Sequence, residues 1–196
     1  MKTYYTLEET GPEICYKIKN SKFYAKAFYT PTDESIKESI AFMQRAHPDA
    51  CHHCYAFVME TDGSRTRAND DGEPTYSAGK PILSQILAKE VTFTTVIVSR
   101  VYGGVKLGVG GLISAYRQAA ADALSGMERR ENIPVFTKII PCPYERLSHL
   151  MRLIKENQWE ITHVVNEENA KITLEIPLAE QEKAEGLIEN SILGYL

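Results

Sequence analysis

Residues 92–101 read Thr92-Phe93-Thr94-Thr95-Val96-Ile97-Val98-Ser99-Arg100-Val101, and residues 102–111 read Tyr102-Gly103-Gly104-Val105-Lys106-Leu107-Gly108-Val109-Gly110-Gly111. The first block is rich in β-branched residues, the pattern of a central strand buried on both faces. After the second block, an apolar and alanine-rich run predicts a helix from about Leu112 to Leu124, with Gly126 at its end. Between strand and helix stand five glycines in ten residues. Each costs backbone entropy on folding, so the loop must need positive φ angles or a close backbone approach. A helix opening there also aims free N–H groups and a positive dipole end at one point, which suits an anion.

The candidate anion is a phosphate or a nucleic-acid backbone, met by Arg100, Tyr102, Gly103, Gly104, Lys106, Gly108, Gly110, Gly111 and Arg117. Lys106 supplies a mobile positive charge. The segment ends in no Gly-Lys-Ser/Thr and lacks dinucleotide spacing, so neither nucleotide motif applies. A tight crossover packed against the sheet is the other reading of the same glycines.

Upstream, Ile14–Lys19 and Phe23–Tyr29 predict a hairpin turning at Asn20-Ser21. The aromatic residues Phe23, Tyr24, Phe28 and Tyr29 suit either base stacking or packing on that hairpin's own sheet. Thr30, Pro31, Asp33 and Glu34 then announce a helix, with Thr30 as cap and Pro31 in the first position. Ile36, Ile40 and Met43 form its apolar face, and Pro48 follows its end. Cys51–Glu60 predicts a strand, turned at Thr61–Ser64 into a shorter one reaching Asn69. The polar loop Asp70-Asp71-Gly72-Glu73-Pro74 leads to a helix over about Lys80–Lys89.

Downstream, the charge run Glu128–Asn132 marks a domain boundary with Arg129-Arg130 in the linker. Beyond it come a strand at Val135–Ile140, a helix at Tyr144–Asn157, a hairpin of Trp159–Val165 and Lys171–Ile176, and a helix at Leu178–Glu189. This β-α-β-β-α order suits a ferredoxin-like sandwich. The expected division is residues 1–130 and 131–196.

Two further segments carry reactive residues. In the loop, Asp70, Asp71 and Glu73 provide three carboxylates that could serve as acid, base or metal ligands. A solvated turn, or ion pairs to Arg65 and Arg67, is the simpler role. In Cys51-His52-His53-Cys54, strand alternation sends Cys51 and His53 to one side and His52 and Cys54 to the other. The four cannot converge on zinc and no second ligand pair exists, so no metal or cofactor is expected. Cys54 reads as buried, with His52 beside it as a possible site residue.

Composition sets the outer limits. The 196 residues, 43% apolar and 24% charged, suffice for one large or two small domains. No run of about 18 apolar residues occurs, and Met1-Lys2-Thr3-Tyr4-Tyr5 holds no secretory h-region. A cytoplasmic chain with no membrane partner is the expectation, its cysteines Cys15, Cys51, Cys54 and Cys142 reduced. Residues 1–130 hold 16 Lys and Arg against 15 Asp and Glu, whereas residues 131–196 hold 6 against 11. Any nucleic-acid contact is therefore local and lies in the first part.

Taken together, His52 with Cys54, the stretch Asp70–Pro74 continuing to Ala78-Gly79-Lys80-Pro81-Ile82-Leu83, and Arg100–Tyr116 resemble the IMPACT/YigZ family (uncharacterised protein family 0029) over roughly residues 15–125. The resemblance implies an α+β chain: a ribosomal protein S5 domain 2-like domain with a four-stranded sheet, then a ferredoxin-like domain similar to the last domain of elongation factor G. Relatives of both folds touch ribosomal RNA. Eukaryotic members of the family act in the amino-acid-starvation pathway through an extra domain, and that role is not carried over here. Ser114 stands where the family usually has arginine, and Val101-Tyr102 replaces a Tyr-Phe pair. The implied function is an RNA- or ribosome-associated regulator of translation, whose partner is RNA, the ribosome or a protein of the translation machinery. The alternatives are an enzyme acting on a phosphorylated small molecule or nucleotide, and a protein-interaction adaptor.

Overall fold

The computed structural model describes residues 3–193 and is a mixed α/β structure with antiparallel sheets. It divides into two compact units, one spanning Tyr4–Asn132 and the other starting at Ile133.

The first unit is built of strands β1 (Tyr4–Leu7), β2 (Ile14–Ile18) and β3 (Ser21–Tyr29), helix α1 (Asp33–Ala46), strands β4 (His52–Met59) and β5 (Arg65–Asn69), helix α2 (Gly79–Lys89), strand β6 (Thr94–Val101), helix α3 (Gly108–Leu124) and strand β7 (Arg129–Asn132). Five strands make one antiparallel sheet in the order β2-β3-β6-β4-β5. β6 lies at its centre, with Thr94 to Arg100 all buried. Helices cover both faces, which explains why its sequence lacks alternation. On one face Phe23, Ala25, Cys54, Ala56, Val96 and Val98 meet Ile82 and Ile86 of α2 and Leu112, Ala115, Tyr116 and Ala119 of α3. On the other, Ile36 and Met43 of α1 fall among Phe28, Ile97, Phe57 and Met59. Phe23 and Phe28 are core residues and Tyr24 packs partly buried against the cluster that holds Phe28, whereas Tyr29 is exposed.

Four expectations for this unit need correction. The α1 cap is Thr32, whose hydroxyl accepts from the Ser35 N–H at 3.1 Å. The Thr30 hydroxyl instead pairs with that of Thr95 inside the core. Residues 128–132 are not a linker, because β7 pairs antiparallel with β1 and closes the unit. The glycine loop is also shorter than its sequence suggests, since α3 begins at Gly108 and takes three glycines into its first turn. The main sheet has five strands and helices on both faces, where four strands were expected.

The second unit runs β8 (Val135–Cys142), α4 (Tyr144–Asn157), β9 (Glu160–Asn166), β10 (Ala170–Pro177), a short 3-10 turn (Leu178–Glu180) and α5 (Gln181–Leu193). Its antiparallel sheet has the order β8-β10-β9. Leu150 and Ile154 of α4 and Ala184 and Ile188 of α5 cover one face, over Ile140, Ile172, Leu174 and Ile176. Trp159 is buried with them, and its Nε1–H donates to Glu180 at 3.1 Å.

Candidate functional site

The β6–α3 connection forms one wall of a pocket of about 550 Å³ within the first unit. Arg100 and Tyr102 at the end of β6, Lys106 and Leu107 in the loop, and Gly108, Val109 and Leu112 of α3 line it. Cys51 just before β4 and His52 at its start, with Glu73 and Pro74 from the β5–α2 loop, complete it.

Its floor is an ion pair. The Arg100 Nη1 donates to Glu73 Oε1 at 2.6 Å, and the Tyr116 hydroxyl donates to the same oxygen at 2.8 Å. The two charged side chains are almost wholly buried, 7% and 3% exposed. Arg100 Nε, also buried, meets no acceptor among the described residues. An arginine inside a strand that reads as buried needs a counter-ion, and Glu73 is the carboxylate that supplies it. Glu73 is thus no part of a solvated turn. Arg65 pairs with Asp33 and Glu60 rather than with this loop.

The loop is held by its acids. Asp70 accepts backbone N–H bonds from Tyr76, Ala78 and Gly79 at 2.8–2.9 Å. Asp71 accepts the His53 N–H at 2.6 Å. Both aspartates organise backbone, and only Glu73 reaches the pocket. Among the described residues no three His, Cys, Asp or Glu side chains gather as a metal site.

His52 Nδ1 lies 2.7 Å from the Asp71 carbonyl. A carbonyl only accepts, so Nδ1 carries the proton and a neutral His52 keeps Nε2 as its base. Cys54 is buried behind the floor, its Sγ 3.0 Å from the Asp70 carbonyl and 3.4 Å from the Tyr116 hydroxyl. Burial pushes its thiol far up, so it is no nucleophile. Burial likewise raises the Tyr116 hydroxyl, aided by Cys54 and Glu73. Cys51, which the sequence did not single out for the site, is an exposed thiol in the pocket wall.

Not every candidate joins the pocket. Arg117 is exposed on α3 but does not line it, nor do Gly103, Gly104, Gly110 and Gly111. At Gly103 a side chain would collide with the backbone of Asn20 and Ser21, so that glycine serves a close crossing. Gly104 and Gly108 adopt φ of +81° and +72°. Ser114, on α3, turns back to donate to the Gly110 carbonyl at 3.0 Å. Lys106 is exposed and forms no ion pair among the described residues. No side chain caps α3 and no acid stands in its first turn.

The profile of the Impact N-terminal domain matches residues 19–124, which include every residue lining the pocket. The chain belongs to the IMPACT family. It is similar to the IMPACT family member YigZ of Escherichia coli (strain K12), with 35% identity over 140 residues, 70% of this chain and 69% of that one. The IMPACT family member YvyE of Bacillus subtilis (strain 168) is 30% identical over 170 residues, 86% of this chain and 77% of its own. Among solved structures, the crystal structure of a hypothetical protein superposes with a TM-score of 0.74 at 28% identity, covering 97% of this chain and 93% of that one. That superposition reaches past the profile into the second unit.

One pH effect follows from this region. His53 sits on the opposite face of β4 from His52, with Nδ1 2.8 Å from the Ser99 hydroxyl, and desolvation lowers its pKa below 6.5. The unfolded chain then binds more protons than the folded one as pH falls below 6.5, so stability declines there. The melting temperature should drop between pH 7.5 and 5.5, less steeply in His53→Gln. Equal slopes would assign the decline to other groups.

Proposed function

We propose that this IMPACT-family chain is an RNA- or ribosome-associated regulator of translation that contacts phosphate backbone beside the pocket of the first unit. In this reading residues 1–130 correspond to an S5 domain 2-like domain and residues 131–196 to a ferredoxin-like domain, in a protein of the cytoplasm. The ligand is RNA, free or in the ribosome, and a translation protein is the other partner class. Among the described residues no helix is long and apolar enough to cross a membrane.

The observation that carries the reading is the pocket rim. The first N–H groups of a helix have no intrahelical acceptor, and those of α3 open beside Lys106 without a side-chain cap or an acid in the helix's own first turn. Arg100, whose charge Glu73 already matches, adds a donor rather than net charge. The attraction for an anion thus comes from Lys106 and the helix terminus.

Lys106→Glu is expected to weaken binding to single-stranded RNA, measured by fluorescence anisotropy across a salt series. Loss of one backbone contact should reduce the slope of log affinity against log salt by about 0.7. Salt-insensitive binding, or binding unchanged in the variant, contradicts the proposal.

A second reading, an enzyme acting on a phosphate ester, is favoured by His52, which lines the pocket with Nδ1 committed to the Asp71 carbonyl and Nε2 left free of it. It expects a metabolite screen, with and without Mg²⁺, to find one compound that raises the melting temperature. A screen without any shift argues against it.

A further inference from the structure

We infer that the pocket receives the base of one unpaired nucleotide, so that its ligand is single-stranded RNA rather than duplex or bare backbone. The inference rests on the RNA reading above and adds which part of the nucleotide enters.

The first observation is the wall. Pro74, Leu107, Val109 and Leu112 give the pocket of about 550 Å³ an apolar side. A phosphate gains nothing from such a wall, whereas a base has faces to bury against it. Val109 and Tyr102 remain 54% and 47% exposed, and a base seated between them would cover both. Tyr102 is held by the Arg100 guanidinium, 5.5 Å from its ring centroid, and offers an aromatic surface for stacking.

The second observation is the floor. Glu73 Oε1 takes both the Arg100 and Tyr116 hydrogen bonds, and Oε2 receives none among the described residues. Arg100 Nε, in a side chain only 6% exposed, has a hydrogen and no acceptor. The floor therefore presents an unused carboxylate oxygen, an acceptor that calls for a hydrogen-bond donor. A phosphodiester offers acceptors only and would meet the Glu73 carboxylate as a like charge. The edge of a base carries donors and acceptors together and is uncharged. The geometry thus divides the nucleotide, with its phosphate at Lys106 and the α3 terminus and its base inside. Duplex RNA has its base edges paired, and exposing one requires unstacking.

The test uses the full chain in fluorescence anisotropy with three probes: a ten-nucleotide single-stranded RNA, an abasic ribose-phosphate chain of equal length, and the corresponding duplex. Wild type is compared with Tyr102→Ala and Val109→Ser, neutral changes at exposed positions whose folding is checked by thermal melts. Wild type should bind the single strand about tenfold tighter than the abasic chain, the effect of one stacked base, and tighter than the duplex. Each variant should lose most of that difference, and Val109→Ser should do so while its affinity for the abasic chain stays unchanged. If the abasic chain or the duplex binds as tightly as the single strand, with Lys106 and salt still governing affinity, the base pocket is refuted and the backbone contact stands. Absence of binding to all three probes overturns both.

Discussion

Glu73→Ala should lower the stability of the first unit by about 3–5 kcal/mol, the usual result of removing one partner from a buried ion pair. The substitution strands the Arg100 guanidinium, 6% exposed, on the floor of the pocket and takes the acceptor from the Tyr116 hydroxyl. No other carboxylate pairs with Arg100 among the described residues, so the cost is that of an uncompensated buried charge. The double variant Glu73→Leu with Arg100→Met should recover much of the loss, because a matched apolar pair carries no desolvation penalty. Urea titration with a check on the m-value reads both. If Glu73→Ala stays within about 0.5 kcal/mol of wild type, an ordinary surface substitution in size, the pair does not organise the floor.

Gly103→Ala should cost about 3 kcal/mol, at the upper end for forcing extra volume into a packed site. A Cβ there would lie inside the van der Waals envelope of the Asn20 carbonyl group and the Ser21 nitrogen. These are backbone atoms of the turn between β2 and β3, and relief requires moving a strand that pairs with β6. Gly110 offers the contrast. A Cβ at Gly110 meets nothing within 4 Å, and alanine in a helix is worth about 0.8–1 kcal/mol over glycine. Gly110→Ala should therefore stabilise the fold and, under the RNA reading, weaken RNA binding by crowding the helix terminus. Opposite signs in stability separate a glycine kept for packing from one whose place in the fold does not require it.

The contrast also shows what the sequence could convey. From β2 to α3 the order of elements is legible because β6 and α3 carry strong, distinct patterns, β1 goes unread, and α4 is readable to its ends from Leu147, Leu150 and Ile154 on one face. β7 was not, because Arg129–Asn132 joins the sheet through its backbone and buries no apolar side chain. The start of α3 was hidden by glycines, which the helix tolerates in its first turn. Within the site, Arg100 was read as a free cation near an anion and Glu73 as a solvated acid. Their union joins positions 27 residues apart that no local pattern connects. A signal did exist, since an arginine in a strand otherwise suited to full burial calls for a buried partner. Asp70 and Asp71 read most simply as a solvated turn, yet Asp70 is spent on N–H groups that follow it in the chain and Asp71 ties the loop to the His53 N–H of β4. That assignment needs coordinates.

The most direct test of the translation reading is sedimentation of the tagged full chain through a lysate sucrose gradient at low and high salt, with Lys106→Glu in parallel. The expected result is that wild type travels with ribosomal particles at low salt, leaves them at high salt, and that the variant remains at the top throughout. Wild type at the top under both conditions, or a variant that sediments like wild type, would contradict it.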